Sequence, residues 1–187
     1  MPSTGSDKRR RLIDAAADLA YRRGFAETAL ADIAREADVP LGNVYYYFKT
    51  KAEIGEAIIA RQVNGFRSLR DAWDGLASPK QRLQALVDLT VGNRRELARS
   101  GCPIGSLCSE LHKSGGALAV EASRAFAELL QWLEAQFAAL GKGCRKKELA
   151  LHFLAALQGV SLLAHSLADA ELITLEGNYL KRWLEAL

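Results

Sequence analysis

The sequence predicts an all-α fold of nine helices, and three observations favour it. Apolar residues make up 49% of the 187 residues, which is enough for a sizeable core. Alanine, leucine, glutamate and arginine are abundant while proline occurs only four times, a composition typical of helices. Apolar residues recur at spacings of three and four, and no segment shows the strict alternation of a strand. We therefore expect no sheet.

The first three predicted helices lie before residue 51. The first begins near Asp7, which suits its positive end, and stops at Gly24. Thr28 is expected to cap the second helix. Residues 38–40, Asp-Val-Pro, form a tight corner, and the third helix then runs from Leu41 to about Phe48.

Capping patterns and glycines divide the rest of the chain into six further helices. Thr50 and Glu53 have the spacing of a capping box, which starts a long fourth helix that breaks at residues 75–78. Ser78 and Gln81 repeat the pattern and start a fifth helix ending near residue 100. The last four helices are expected over residues 104–112, 117–140, 145–168 and 172–186.

Charge is distributed unevenly between two predicted domains, residues 7–51 and residues 52–187. Residues 1–70 contain 12 Lys and Arg against 9 Asp and Glu, whereas residues 71–187 contain 13 of each. All the excess positive charge therefore lies in the first part of the chain. This distribution is compatible with a nucleic-acid footprint there and a neutral body behind it.

Residues 28–51 have the pattern of a helix-turn-helix DNA reader. A major groove about 12 Å wide accepts one helix, while the preceding helix braces it against the DNA backbone. Val44 and Phe48 would face inward with Tyr47 beside them, and Gly42, Asn43, Tyr45 and Tyr46 would face the DNA. The alternative interpretation is that the three tyrosines are core aromatics of a small helical domain.

Residues 8–70 resemble the N-terminal domain of the TetR family of bacterial transcriptional regulators. The resemblance is carried by residues 12–16 (Leu-Ile-Asp-Ala-Ala), 24–25 (Gly-Phe), Thr28, 32–34 (Asp-Ile-Ala), 37–39 (Ala-Asp-Val), 42–48 (Gly-Asn-Val-Tyr-Tyr-Tyr-Phe) and 51–53 (Lys-Ala-Glu). It implies an all-α homodimer that binds a palindromic operator in double-stranded DNA, usually as a repressor. It also implies release of the DNA when a small-molecule effector binds.

Position by position, six residues match the family's DNA-contacting positions. These are Thr28, Gly42, Asn43, Tyr45, Tyr46 and Lys51. The sequence departs from the family pattern at Pro40, where a capping Ser or Thr is usual, at Leu41, which is often polar, and at Tyr46, which replaces a common His. Residues 8–11, Lys-Arg-Arg-Arg, are either a phosphate-binding arm or the solvated start of a helix.

Residues 101–107 resemble a Gly-Cys-x-x-Gly-x-Leu motif at the junction of the fifth and sixth helices in one branch of the family. Some members of the wider family sense electrophiles or oxidants through a cysteine, and Cys102 is the candidate here. A thiol near a helix N-terminus tends towards the reactive thiolate. The alternative is that Cys102 and Cys108 are small buried apolar residues.

The resemblance also places an effector pocket among helices four to eight, and a dimer interface on the last two helices. The effector candidates are Phe66, Trp73, Leu86, Thr90, Leu107, Phe126, Leu130, Phe153 and Leu157, most of which are expected to be core. The dimer candidates are Leu154, Leu157, Ser161, Ala164, Leu167, Tyr179, Leu180, Trp183 and Leu184. The alternative for the second set is an intramolecular core.

The sequence gives little support to an enzyme, a metal protein or a membrane protein. The sequence has no Gly-rich phosphate loop, no HExxH and no GxSxG, so we expect neither an enzyme nor a cofactor. Three cysteines without a CxxC spacing predict no metal site. No charge-free stretch of 18 apolar residues and no secretory signal are apparent, so we expect a cytoplasmic protein without a membrane span. A helical interaction module that does not bind DNA stays as a further alternative.

Overall fold

The computed structural model describes residues 5–187, and every regular element in this range is helical. The predicted all-α fold is therefore confirmed for these residues. The elements are α1 (Gly5–Arg23), α2 (Leu30–Glu36), α3 (Leu41–Tyr47), α4 (Lys51–Asp74), α5 (Pro79–Gly92), α6 (Arg94–Ser100), α7 (Pro103–Ser114), α8 (Ala117–Ala139), a 3-10 turn (Gly143–Arg145), α9 (Lys146–Leu167) and α10 (Glu171–Glu185).

The predicted fifth helix is divided at Asn93, so residues 5–187 contain ten α-helices where nine were expected. Asn93 leaves the helical conformation, with φ of −94° and ψ of 10°. Its side-chain amide donates to the Leu89 carbonyl oxygen at 2.8 Å, and its backbone N–H donates to the same oxygen at 3.1 Å. The short polar side chain thus competes with the helical hydrogen-bond pattern and ends α5.

In both predicted capping boxes the N-cap hydroxyl accepts the expected amide, and in the first box Glu53 returns a hydrogen bond to Lys49, the residue before the N-cap. The Ser78 hydroxyl accepts the N–H of Gln81 at 3.2 Å and starts α5. The Thr50 hydroxyl accepts the N–H of Glu53, also at 3.2 Å, while the Glu53 carboxylate accepts the N–H of Lys49 at 2.9 Å. Each box satisfies amides at a helix start that have no partner within the helix.

Thr28 does not cap α2, contrary to the prediction. The N-cap residue is Ala29, and no side chain caps the helix. The Thr28 hydroxyl instead donates to the carbonyl oxygen of Gly24 at 2.8 Å and is 2% exposed. Thr28 therefore closes the turn that connects α1 and α2.

The chain forms two compact units that do not follow the predicted boundary at residue 51. Unit 1 contains the described chain up to Gly65 together with Ser106–Ala125, and unit 2 contains Phe66–Gly105 and Phe126–Leu187. Helices α4, α7 and α8 each contribute residues to both units. The division between the units falls within α4, between Gly65 and Phe66, so the first part of this helix belongs to the same unit as α1 to α3.

Unit 1 is built on the packing of α1 to α3. Its buried residues include Leu12, Ala16, Leu19, Phe25, Ile33, Val44, Phe48, Ile54 and Ile58. Arg11 of α1 fixes the corner between α2 and α3: its guanidinium donates to the carbonyls of Ala37 and Asp38 and pairs with the Asp38 carboxylate at 3.2 Å. Asp38 itself has a left-handed φ of 49°. This contact sets the direction in which α3 leaves the corner.

Unit 2 has a core of leucine, phenylalanine and tryptophan side chains from α5, α8, α9 and α10. The core contains Leu83, Leu86, Val87, Leu129, Trp132, Leu133, Phe137, Leu149, Ala150, Phe153, Leu154, Leu157, Leu180 and Leu184. At Gly177 of α10, an added Cβ would lie 2.4 Å from Cγ2 of Val91 on α5. The two helices therefore approach closely at a position where a side chain does not fit.

One segment, Gly143–Leu167, is long and apolar enough to cross a membrane by length and composition. This segment includes α9, and one side of α9 is buried in the core of unit 2, with Phe153 and Ala150 fully covered. The central helix of a globular core meets the same criteria of length and composition. We therefore interpret α9 as a core helix.

Candidate nucleic-acid interface

Helix α3 has one buried and one exposed face. Val44 is fully buried and Phe48, which follows the helix, is 2% exposed. Tyr45 and Tyr46 are 50% and 75% exposed, and Tyr47 is half-buried with its ring edge-on to Tyr46 at 5.0 Å. The interpretation of all three tyrosines as core residues is therefore wrong for Tyr45 and Tyr46. Their phenols instead provide outward hydrogen-bonding groups of the kind that contact phosphates.

The start of α3 presents a small, open surface. Gly42 is exposed, and a Cβ at this position would meet no atom within 4 Å, so packing within unit 1 does not require a glycine here. Asn43 is half-buried beside it, and Leu41 is 42% exposed. A glycine on this face allows another molecule to approach the backbone, and Leu41 offers an apolar contact such as a thymine methyl group accepts.

Two lysines flank the end of α3, and only one of them was predicted. The ammonium group of Lys51 donates to the carbonyl oxygen of Ala26 at 2.6 Å and lies 5.1 Å from the ring centre of Phe25. Lys51 is thus engaged within unit 1. Lys49, which the sequence interpretation missed, is exposed and donates to the Tyr45 carbonyl at 2.8 Å. Its position directly after the predicted helix was the available signal.

Thr28 was predicted to contact DNA, but its side chain is almost fully buried. Its hydroxyl is used by the carbonyl oxygen of Gly24. A buried side chain whose hydroxyl already donates internally has no group left for a phosphate. The proposed contact at Thr28 is therefore removed from the interface.

The basic residues 8–11 form part of α1, so they are not an extended arm. Arg9 lies 5.3 Å from the ring centre of Phe48, Arg10 pairs with Asp7 at 2.7 Å, and Arg11 holds the corner before α3. Three of the four cations thus have partners inside unit 1. The first residues of the N-terminal segment, 1–4, lie outside the described part of the chain.

A groove of about 360 Å³ lies between the first turns of α1 and the middle of α4. Arg9, Arg10 and Arg61 line it together with Asp14. Arg61 donates to the Asp14 carboxylate at 2.7 Å, and the other two guanidinium groups have the partners given above. Arg10 and Arg61 are thus neutralised by Asp7 and Asp14, whereas the contact of Arg9 with the uncharged Phe48 ring leaves its positive charge at the groove.

Comparisons with known proteins agree with this geometry. The family model described as "Bacterial regulatory proteins, tetR family" matches residues 12–58, which include the whole of α2 and α3. The transcriptional regulator AcuR of Cereibacter sphaeroides is 32% identical over 103 residues. A TetR transcriptional regulator from Legionella pneumophila superposes with a TM-score of 0.85, covering 97% of this chain and 98% of that one at 18% identity. Residues 12–58 thus match the DNA-binding domain of the TetR family.

The sequence matches to relatives cover only part of those proteins. The matched stretch is 54% of this chain and 47% of AcuR. The transcriptional repressor NemR of Escherichia coli K12 is 29% identical over 144 residues, which are 76% of this chain and 64% of NemR. The reduced form of E. coli NemR has a TM-score of 0.78 at 20% identity and covers 94% of this chain and 96% of that structure. Structural likeness at this identity concerns the fold.

The predicted effector residues fall into four groups. Leu86, Phe153 and Leu157 are buried in the core of unit 2, while Phe66, Trp73, Phe126 and Leu130 are partly buried against it. Thr90 uses its hydroxyl within α5, donating to the Leu86 carbonyl at 3.0 Å. Leu107 belongs to unit 1, so the structure does not place it with the others.

Phe66 and Trp73 form an aromatic cluster with Trp132, which the sequence interpretation missed. The three ring centres lie between 5.7 and 6.3 Å apart. Trp132 is 8% exposed, and its indole N–H has no hydrogen-bond partner among the described residues. A buried donor without an acceptor is costly, which makes this cluster the most informative part of unit 2.

Cations border this cluster. The guanidinium of Arg70 lies 5.4 Å from the ring centre of Phe66, and its Nε–H has no partner among residues 5–187. Arg67 donates to both oxygens of Glu128, at 3.0 and 2.5 Å, whereas Arg70 is 3.6 Å from the same carboxylate. The hydrogen bonds from Arg67 lower the pKa of the Glu128 carboxyl below its ordinary value. One carboxylate therefore serves two guanidinium groups, which leaves a positive excess.

Most of the predicted dimer residues face the interior of the protomer. Leu154, Leu157, Ser161, Ala164, Leu180 and Leu184 are at most 6% exposed, and Trp183 is half-buried against Phe153. A side chain already covered within its own chain cannot form an interface as well, so the six buried residues are corrected to core positions, while Trp183 keeps part of its surface exposed. Of the predicted set, only Leu167 and Tyr179 are exposed.

The exposed apolar surface of the last two helices is a different stripe. On α9 it consists of Leu151, Ala155, Gly159, Leu162, Leu163 and Leu167, and on α10 of Leu175 and Tyr179. A Cβ at Gly159 would meet no atom within 4 Å, so the middle of the stripe is open. We call these eight residues the α9–α10 stripe.

Cys102 directly precedes α7 and is half-buried. Its sulfur accepts the N–H of Gly105 at 3.4 Å. Cys108 is buried, and its thiol donates to the Ala122 carbonyl at 3.2 Å, which agrees with the interpretation of Cys108 as a small buried residue. Among residues 5–187, no cluster of three or more His, Cys, Asp or Glu has an arrangement suited to a metal ion.

Proposed function

We propose that this protein is a cytoplasmic, DNA-binding transcriptional regulator that represses its target by occupying a palindromic operator as a homodimer. The division of α3 into two faces carries this proposal. Val44 and Phe48 anchor the helix, while Gly42, Tyr45 and Tyr46 remain exposed. A helix held in this way suits insertion into the major groove, with the tyrosines directed towards the phosphates.

Specificity is proposed to come from the first turn of α3. Asn43 carries an amide of the type that forms bidentate bonds with adenine, and Leu41 is suited to a thymine methyl group. Tyr45, Tyr46 and Lys49 would contact the backbone and position the helix. The NemR relative is named a repressor, which supports repression as the outcome of binding. The relatives named above are regulators, and we propose no enzymatic activity.

The α9–α10 stripe supports the homodimer. Leu151, Leu162 and Leu175 are each more than 60% exposed, and leucines this exposed occur together at association surfaces. Two copies of α9 and α10 would bury the stripe as a four-helix bundle around a two-fold axis. Such a dimer presents its two readers to successive major grooves about 34–36 Å apart.

We propose that the effector site lies at the cluster of Phe66, Trp73 and Trp132 in unit 2. Three aromatic rings favour a flat apolar body, and the two buried N–H groups of Trp132 and Arg70 favour an acceptor group on it. The positive excess around Glu128 favours a negatively charged acceptor. An aromatic carboxylate combines these features, and 2-naphthoate is a suitable probe.

The DNA-binding proposal is tested by selecting duplexes from a random-sequence library with the purified protein and titrating the enriched duplex in a gel shift. We expect enrichment of a palindrome and a steep loss of affinity with salt. Enrichment of no sequence would reject the proposal. Adding 2-naphthoate to the complex tests the effector site. Trp132→Phe keeps an aromatic, though smaller, ring and removes the N–H, so release of DNA by this variant should be at least severalfold less sensitive to the probe.

A second candidate function is sensing of electrophiles or oxidants by Cys102. Its half-buried thiol at the start of α7 and the solved reduced form of the NemR relative favour it. Cys102→Ser should bind the operator normally yet ignore N-ethylmaleimide, while the exposed Cys144 provides the matched control variant, Cys144→Ser. If Cys102→Ser and the wild-type protein release DNA equally on treatment, this candidate is excluded.

A further inference from the structure

The loop between α1 and α2 is held by a side chain far away in the sequence. The N–H of Phe25 donates to Oε2 of Glu110 at 2.8 Å, and the N–H of Ala26 donates to Oε1 of the same residue at 2.5 Å. Glu110 lies on α7, which reaches unit 1 only through its later residues. Both carboxylate oxygens thus accept consecutive backbone amides. Hydrogen bonds to an ionised group are about twice as strong as neutral ones.

The same loop is held from its other side by α4 and α8. Lys51 donates to the Ala26 carbonyl at 2.6 Å, and its ammonium lies over the ring of Phe25, which is 8% exposed. At Gly55 of α4, an added Cβ would lie 3.0 Å from Cζ of Phe25 and 2.9 Å from Cδ1 of Leu118. The Phe25 ring therefore fills a close-fitting socket while both polar groups of Ala26 are bound.

The backbone of this loop is shaped to admit the carboxylate. Gly24 has a φ of +92°, and a Cβ there would lie 3.5 Å from both oxygens of Glu110. Thr28 closes the turn on the Gly24 carbonyl, and α2 begins two residues later at Leu30. Since the loop leads directly into α2, the point at which Glu110 holds it also sets where the reader begins.

We propose that Glu110 is a positioning residue for operator binding: its carboxylate ties α7 to the Phe25–Ala26 amides and holds α2 and α3 in the orientation that DNA requires. This inference rests on the proposed DNA-binding function. Without the tie, the loop has more conformations, and ordering it on the operator costs conformational entropy. Helix α7 begins with Pro103–Gly105 in unit 2, so displacement of α7 would also pull on the tie.

The direction in which operator affinity changes when Glu110 is removed distinguishes a positioning role from a purely electrostatic one. Removing a negative charge from a protein that binds a polyanion should strengthen binding, or leave it unchanged where salt screens the charge. A Glu110→Ala variant that binds more weakly must therefore have lost positioning. Because Glu110 neutralises no phosphate, the slope of log Kd against log salt should stay the same.

The matched control is Glu121→Ala. Glu121 lies on α8 in the same unit and pairs with Arg124 at 3.0 Å on the surface, so its removal changes the net charge equally without touching the loop. On the duplex enriched by the wild-type protein, we expect Glu110→Ala to raise Kd by about 10-fold or more, as the loss of two charge-assisted hydrogen bonds allows. Glu121→Ala should stay within about twofold of wild type, as for a surface pair.

Hydrogen exchange of the Phe25 and Ala26 amides measures, in the absence of DNA, how strongly the Glu110 carboxylate holds them. Both should exchange at least about 10-fold faster in Glu110→Ala than in Glu121→Ala. Glu110→Gln keeps one acceptor, so its exchange and its Kd should be intermediate, and it replaces the alanine variant if that does not fold.

Unchanged or tighter operator binding by a folded Glu110 variant would overturn the proposal, as would amides that stay protected in it. A wild-type protein that enriches no duplex would refute the DNA-binding function and with it the operator role of Glu110. Exchange would still show whether the tie exists, so the two failures are distinguishable.

Discussion

Leu162 tests whether the α9–α10 stripe is the dimer interface. In the protomer it is 65% exposed, in the middle of the stripe on α9. Fully burying a leucine contributes about 2 kcal/mol, so losing the part still available beyond the alanine methyl costs about 1 kcal/mol per protomer in Leu162→Ala. The change occurs twice in a symmetric dimer, so the total is about 2 kcal/mol and the dimer Kd should rise roughly 30-fold.

Sedimentation equilibrium over a range of protein concentrations measures this Kd directly. Val120→Ala is the matched control, because Val120 is 62% exposed but lies on α8 in unit 1, away from the stripe. Its dimer Kd should stay within about twofold of wild type, and its stability within about 0.5 kcal/mol, as expected for a surface change. The operator affinity of Leu162→Ala should fall at protein concentrations below its dimer Kd.

Leu154→Ala tests whether the dimer forms through the α9–α10 stripe or through the residues predicted from the sequence, which include Leu154. Leu154 is 6% exposed within the protomer, so its truncation should create a cavity and lower the stability by about 2–5 kcal/mol. The stripe assignment is refuted if Leu162→Ala dimerises as tightly as wild type, or if Val120→Ala weakens the dimer just as much. A dimer lost in Leu154→Ala with no loss of monomer stability would restore the original face.

Three other outcomes are expected. Tyr46→Ala removes an exposed phenol from α3 and should weaken operator binding about 10-fold in a gel shift, as for a charge-assisted hydrogen bond, without lowering Tm. Gly177→Ala should destabilise by about 1–3 kcal/mol in thermal melts because its Cβ meets Val91, whereas Gly65→Ala, with open space around it, should stabilise by about 0.5–1 kcal/mol. The lowered pKa of Glu128 contributes stability above its unfolded value near 4.5. The Tm difference between wild type and Glu128→Gln should therefore be largest at neutral pH and vanish as pH falls below the folded pKa; a constant difference would contradict this.

Helix positions were predictable because their signals are local. The boxes at Thr50 and Ser78 satisfy their own helix starts, so the residues involved suffice to locate them. The break at Asn93 was not predictable in this way, since the apolar spacing of residues 83–91 gives no sign of a stop. Thr90 and Ser161 bind the carbonyl four residues back without ending their helices, so the same bond at Asn93 marks a break only together with the packing of α6 against α9.

The buried and exposed faces of α3 were predictable, because the spacing of its apolar residues allows only one orientation of the helix. Val44 and Phe48 are spaced four apart on a short helix, which fixes their common buried face and exposes Tyr45 and Tyr46. The role of Thr28 was not predictable, because its hydroxyl could either accept an amide of α2 or donate to the Gly24 carbonyl. In the structure it donates to the Gly24 carbonyl. Residue type alone does not decide between a cap and a closed turn.

The proposed dimer face was missed for a related reason, namely that α9 is apolar on nearly every side. Buried Leu154 and exposed Leu151 are equivalent in composition, and only the position of the other helices of unit 2 separates them. A helix that is hydrophobic all round carries no amphipathic signal from which to assign an outward stripe. The same property explains why α9 resembles a membrane span by composition.

Cations near a DNA reader also cannot be counted as phosphate contacts until their partners are known. Lys51 matches a family contact position, yet its ammonium binds the Ala26 carbonyl and covers Phe25. It binds the carbonyl of Ala26, whose N–H is bound by Glu110, so a basic and an acidic residue hold the two peptide groups on either side of Ala26. Weaker operator binding by a Lys51 variant would therefore have two causes, and only the salt slope separates them: a lost phosphate contact flattens it, whereas a loosened loop leaves it unchanged.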